Sequence, residues 1–141
     1  MINFFKNKKE KMVDNNDFLS KVASLLIHAA KIDEVYTDDE KEIIKKTLIT
    51  LGAETSNLNK IMSDATLNEK NSNQILDFTR EVKNMPEIDK IKIIEALWKI
   101  IYSNKNADVY ETNLMRRLAG LLYIDNKLMG DIKERTKKNL K

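Results

Sequence analysis

Asp33-Glu-Val-Tyr-Thr-Asp-Asp-Glu40 and, 71 positions further on, Asn104-Lys-Asn-Ala-Asp-Val-Tyr-Glu111 carry one pattern twice. In each copy an apolar helical stretch runs into an oxygen-bearing residue. A short polar turn follows, and a glutamate stands seven residues on, where a new helix should begin. Leu26 pairs with Leu97, Ile43 with Leu114, Ile44 with Met115 and Glu40 with Glu111 at the same offset. The chain therefore reads as two helix–turn–helix units with an approximate internal twofold relation.

The surrounding sequence supports an all-α fold. One proline and three glycines leave few interruptions for helices. No segment alternates β-branched and polar residues between turn signals, so no sheet is expected. Leu19, Val22, Ala23, Leu26, Ala29 and Ala30 recur at helical spacing from Asp17 to about Ile32. A second helix is expected from Asp38 to about Thr50, stopped by Gly52. A third runs from about Thr55 to Ala65, burying Leu58, Ile61 and Met62, and a fourth from about Ser72 to Asn84. Pro86 marks the first turn of a fifth helix that extends to about Ser103. Its isoleucines, from Ile88 to Ile101, and Trp98 wrap most of its circumference, as in a central helix. Val109 to about Leu122 and Asn126 to about Lys138 complete a compact bundle of about seven helices. In this reading the third and fourth helices connect the two units.

At 141 residues the chain is long enough for one well-filled core. Residues 1–14 read as a basic tail or short helix, and 15–141 as one helical domain. Both ends are basic: residues 1–12 carry a net +3 and residues 127–141 a net +4, so the rest sums to −4. A folded basic face with stacking aromatics, as specific nucleic-acid binding requires, is not evident. The basic tails suit transient contact with a membrane surface. No apolar run reaches the roughly 18 to 20 residues of a membrane span, and the apolar part of the N-terminus is too short for a secretory signal. The absence of cysteine excludes disulfides and thiolate ligands. A cytoplasmic location is the expectation.

Two readings of the acidic turns stand side by side. Thr37-Asp-Asp-Glu40 fits a capping box, and Asp108-Val-Tyr-Glu111 fits a looser version. Capping accounts for Thr37, Glu40, Asp108 and Glu111, but not for Asp33 or the alternation of Asn104, Asn106 and Asp108. Oxygens at alternate residues resemble the opening of a calcium loop. An EF-hand needs glycine at position six and glutamate at position twelve. Val109 and Met115 stand there instead, so any ion is held differently and weakly. The candidate ligands are Asp33, Glu40, Asn104, Asn106, Asp108 and Glu111, with Ca²⁺ or Mg²⁺ as the ion.

Lone His28 lies one turn before Asp33, as a structural residue or a further ligand. Trp98 and Tyr102 read as core aromatics. Arg80 is expected to pair with a carboxylate such as Glu95, and Arg116 and Arg117 to cover solvated surface. There is no Ser–His–Asp set, no glycine-rich phosphate loop and no paired catalytic carboxylates, so no enzyme is expected.

Leu25-Leu-Ile-His-Ala-Ala-Lys-Ile-Asp33 followed by Glu40 resembles the first acidic unit of the tellurite resistance TerB-like family. Phe78-Thr-Arg80, Glu95-Ala-Leu-Trp-Lys-Ile-Ile-Tyr102, Tyr110-Glu111 and Leu114-Met-Arg-Arg-Leu-Ala-Gly-Leu-Leu122 resemble its second half, in the manner of small stand-alone bacterial members. The resemblance spans about residues 17 to 138. It implies an all-α pseudo-symmetric fold and a non-enzymatic role in metal-linked stress responses, with divalent cations at the acidic turns. By position it carries Asp33, Glu40, Asn104 and Glu111 into that role. Asn104 stands where the family has aspartate, and Glu34 and Lys105 replace the glycine that follows. Loss of a negative charge and gain of a positive one weaken the second turn as a cation site. The alternative is a protein-interaction module, partner unidentified, whose acidic turns are caps.

Overall fold

The computed structural model describes residues 18–31, 36–71, 76–103 and 108–139, without the side chains of 71, 76, 77, 81 and 108–113. Among these residues there are seven helices and no strand. They are α1 (18–30), α2 (Asp38–Thr50), α3 (Thr55–Asn71), α4 (Leu76–Val82), α5 (Glu87–Tyr102), α6 (Asp108–Leu121) and α7 (Asn126–Asn139).

The offset of 71 extends well beyond the acidic turns: it maps α1 onto α5, α2 onto α6 and α3 onto α7. The third helix is therefore not a connector but the counterpart of the seventh, and α4 alone links the two triplets. Burial follows the same register. Val22, Leu26, Ile44, Leu58 and Ile61 are buried, as are their counterparts Ile93, Leu97, Met115, Met129 and Ile132. Packing repeats as well. In the second triplet α7 lies on α5 and α6. In the first, α3 lies on α2, and the Ser24 hydroxyl of α1 donates to the Ala65 carbonyl of α3 at 3.1 Å. The triplets join through α2 and α5, and α4 covers α6 with buried Phe78 and Val82.

The centre of the bundle is shared by the equivalent helices α1 and α5. Residues 22–27 of α1 are buried without a break. The corresponding stretch of α5, 93–98, is buried except at Glu95. The start of α5, residues 87–92, is not central, contrary to the wraparound pattern of its isoleucines: Ile88 is 67% exposed. That stretch carries lysines with a structural task. Neither α2 nor α6 has a basic residue in its last turn, and unsatisfied carbonyls there attract cations. From α5, Lys92 Nζ donates to the Thr50 carbonyl at 3.3 Å and Lys90 Nζ to the Leu122 carbonyl at 3.0 Å.

Both second helices end in a Schellman motif. After α2, Ala53 N–H donates to Leu48 O at 2.9 Å and Gly52 N–H to Ile49 O at 3.0 Å, with Gly52 at φ 109°. After α6, Ile124 N–H donates to Ala119 O at 2.9 Å and Tyr123 N–H to Gly120 O at 3.4 Å. The left-handed position there is filled by Tyr123, at φ 57°.

Two further boundaries differ from the sequence reading. Pro86 is the N-cap of α5, not part of its first turn, with ψ 145° and its carbonyl accepting from Lys90 N–H at 3.2 Å. Helix α3 runs six residues past Ala65, to Asn71. Its apolar stripe does end there, but Glu69, one turn further, is buried against α1 and holds the extension in place.

Candidate functional site

The first acidic turn is built around the start of α2. Thr37 is the N-cap, with φ −90° and ψ 163°. Its Oγ1 accepts from Glu40 N–H at 3.1 Å, and Glu40 Oε1 in return accepts from Thr37 N–H at 2.8 Å and from Thr37 Oγ1 at 3.0 Å. This is the capping box expected from Thr37-Asp-Asp-Glu40, worth about 1 kcal/mol. Asp38 and Asp39 are exposed in the same turn, where the helix dipole favours negative charge. Glu40 is only 2% exposed.

Tyr36 leads into this turn. Its hydroxyl is buried and has no hydrogen-bond partner among the described residues, while Lys41 Nζ stands 5.3 Å from the ring centroid. Burial, and next the negative charge of Glu40, push the phenol up to about 12. The hydroxyl is thus neutral throughout the physiological range.

Of the six candidate ligands, Glu40 is the one whose side chain is described. Asp33, Asn104 and Asn106 lie outside the described residues. Asp108 and Glu111 lie on the first turn of α6 with their side chains outside the description, so the looser capping box at that helix lies outside it too. Among the described residues no three His, Cys, Asp or Glu side chains gather closely enough to hold a metal ion.

His28 faces α3. Its Nδ1 lies 3.5 Å from Glu69 Oε1, and Lys31 Nζ donates to Glu69 Oε2 at 2.9 Å. Glu69 was hidden in the sequence because it lies beyond the apparent end of α3. The signal available was its i+4 spacing from Ala65, which continues the buried face. Arg80 does not pair with Glu95: it is exposed, and Glu95 meets Lys99 at 3.8 Å and Arg135 at 4.0 Å. Arg116 and Arg117 are exposed, and Trp98 is buried and stacked on Tyr102 with ring centroids 6.0 Å apart.

Sequence reasoning also missed a groove of about 520 Å³ between α2 and α5. Lys46, Lys92 and Lys99 rim it, Ile43 and Ala96 form its apolar floor, and Glu95 is the single carboxylate among the described residues lining it. Lys92, Glu95 and Lys99 share a face of α5 at three- and four-residue spacing. Only packing brings Lys46 of α2 to them.

No helix of the described residues is long and apolar enough to cross a membrane. No curated protein and no solved structure matches the chain. The family model for the tellurite resistance protein TerB matches residues 19–134, from the start of α1 into α7 and so across both triplets. The chain therefore belongs to the TerB family of tellurite resistance proteins.

Proposed function

We propose that this domain acts by binding a protein partner, without chemistry of its own, and that its first acidic turn serves as a helix cap. The observation that carries this reading is the disposition of Glu40. Its Oε1 is turned back onto Thr37 N–H and Oγ1, as capping demands. The groove between α2 and α5 offers the partner a surface. Three ammonium groups over an apolar floor suit an acidic segment with apolar residues interspersed. We read such an interaction as part of a metal-related stress response, a reading that the family's tellurite resistance description supports.

A second reading is a weak Ca²⁺ or Mg²⁺ site drawing on Asp33, Glu40, Asn104, Asn106, Asp108 and Glu111. The buried hydroxyl of Tyr36, which has no partner among the described residues and stands beside the charge of Glu40, favours it, because such a group calls for a partner.

An NMR titration separates the two. The capping reading predicts flat amide shifts over residues 33–40 up to millimolar Ca²⁺ or Mg²⁺. It also predicts that Thr37→Ala lowers stability by about 1 kcal/mol equally with and without the ion. Saturable shifts at residues 33–40 that vanish in Asp33→Ala would instead establish the cation site. For the partner, the charge reversal Lys46→Glu should abolish an interaction that Asp33→Ala leaves intact. Loss in Asp33→Ala with retention in Lys46→Glu overturns the groove assignment.

A further inference from the structure

We infer that the groove between α2 and α5 receives a short amphipathic helix of a partner protein, its apolar face inward and carboxylates along its flanks. This rests on the reading of the groove as the partner surface and adds the form of the partner. On each wall the lining residues are spaced i, i+3, i+4, i+7, from Ile43 to Thr50 on α2 and from Lys92 to Lys99 on α5. Each wall is therefore one helix face two turns long, about 10 Å. Lys92 Nζ donates to the Thr50 carbonyl at 3.3 Å, which sets the start of one wall against the end of the other. A groove walled by two antiparallel helices is the shape into which a third helix packs.

The internal repeat holds the template for such an occupant. At the offset of 71, Thr47 and Thr50 correspond to Leu118 and Leu121 of α6, and Ala96 to Leu25 of α1. Leu118 and Leu25 are fully buried. The chain's own α4 lies on α6 and buries Phe78 and Val82, four residues apart. Among the described helices α4 has no counterpart at that offset, so α2 is without the helix that α6 carries. Where the repeat has leucines, the groove has two threonines and an alanine. The volume is left for side chains brought from outside.

Charge selects the partner. Lys46, Lys92 and Lys99 against Glu95 give the described lining a net +2. Lys46 is exposed and meets no partner among the described residues. Lys99 stands 3.8 Å from Glu95 and Lys92 3.9 Å from Asp89, too far for hydrogen bonds, and the two lysine side chains are 41% and 40% exposed. Ion pairs so exposed contribute about 0–1 kcal/mol, so both ammonium groups are free to turn to an incoming carboxylate. Residues 5–11, which stand at the place of α4 in the repeat, carry four lysines and one glutamate. A cationic groove disfavours that segment and selects an acidic helix from another chain.

The test uses a labelled, lactam-stapled peptide of about twelve residues, with phenylalanine and valine at the α4 spacing and glutamates beside them. Fluorescence anisotropy with the full chain should show saturable binding of this helix. Replacing its glutamates by lysine should abolish binding, and Lys46→Glu in the protein should weaken it by about tenfold. An unstapled version broken by a central proline should bind at least about tenfold more weakly. Equal binding of the broken version would overturn the helical form and leave the groove as a site for an extended acidic segment. Absence of binding by both, or full affinity in Lys46→Glu, would overturn the helix and the partner groove together. Tighter binding of a peptide of residues 4–14 would assign the groove to the chain's own N-terminal segment and overturn a partner helix.

Discussion

The α1–α3 and α5–α7 triplets share one framework and differ in how tightly it is filled. In the first, Leu48 and Met62 are buried where α1, α2 and α3 meet, and Ser24 is tied to Ala65. In the second, Ala119, Gly130 and Lys133 leave a cleft beside Trp98. Glu95, the counterpart of Ser24, faces lysines and Arg135. The left-handed cap residue is Gly52 in one and Tyr123 in the other. The duplicated framework thus rests on the register of buried positions and on the form of the helix ends. Side-chain volume within that register is free to diverge, and in the second triplet that divergence leaves a cleft.

The largest expected effect comes from making the first triplet like the second. Leu48→Ala should cost about 3 kcal/mol, read as a lower urea midpoint, because a fully buried leucine leaves a cavity. The reciprocal Ala119→Leu should change stability by less than about 1 kcal/mol, since it fills existing space. A penalty of about 1–3 kcal/mol, the usual mark of overpacking, would show that the second triplet is as full as the first.

The helix ends give a smaller and opposite pair. Gly52→Ala should destabilise by about 1 kcal/mol, because φ 109° disfavours a side chain. Tyr123→Gly should stabilise by about 1 kcal/mol through relief of a left-handed tyrosine. Part of that gain is offset by loss of the Lys83 ammonium contact 5.8 Å from the ring centroid. Equal signs for the two substitutions would break the equivalence of these ends.

The finest distinction is in alkaline stability. Tyr36 keeps its proton up to about pH 12 in the folded chain, whereas the unfolded chain loses it near pH 10. The native state binds more protons between those values, so stability falls as pH rises through that window. Urea midpoints should decline more steeply there for the native chain than for Tyr36→Phe. Identical slopes would mean that the burial of this hydroxyl has no energetic consequence.

Most of the fold was legible because it rests on periodicity. The spacing of Leu19, Val22, Ala23 and Leu26, the Gly52 stop and the Thr37–Glu40 capping box are local signals, and each corresponds to the element it predicts. Legibility fails where a residue's role depends on a distant partner. Glu69 looks like surface until Lys31 and His28, about forty positions away, are packed against it. Ile88 looks like core because an apolar residue does not announce which part of its helix is covered. Arg80 and Glu95 looked complementary by charge, yet Glu95 lies between Lys99 and Arg135. Of the acidic turns, the capping role of Glu40 was readable for the same local reason.

Helix positions, their stops and the repeat follow from the chain alone, because propensity, capping and burial spacing operate within a few residues. Packing settled what none of those signals encodes. It gathered Lys46 with Lys92 and Lys99, and left space beside Trp98. Each of these depends on surfaces from separate helices meeting. A groove or a cleft is the volume that several side chains together do not fill, and no single stretch of sequence records it.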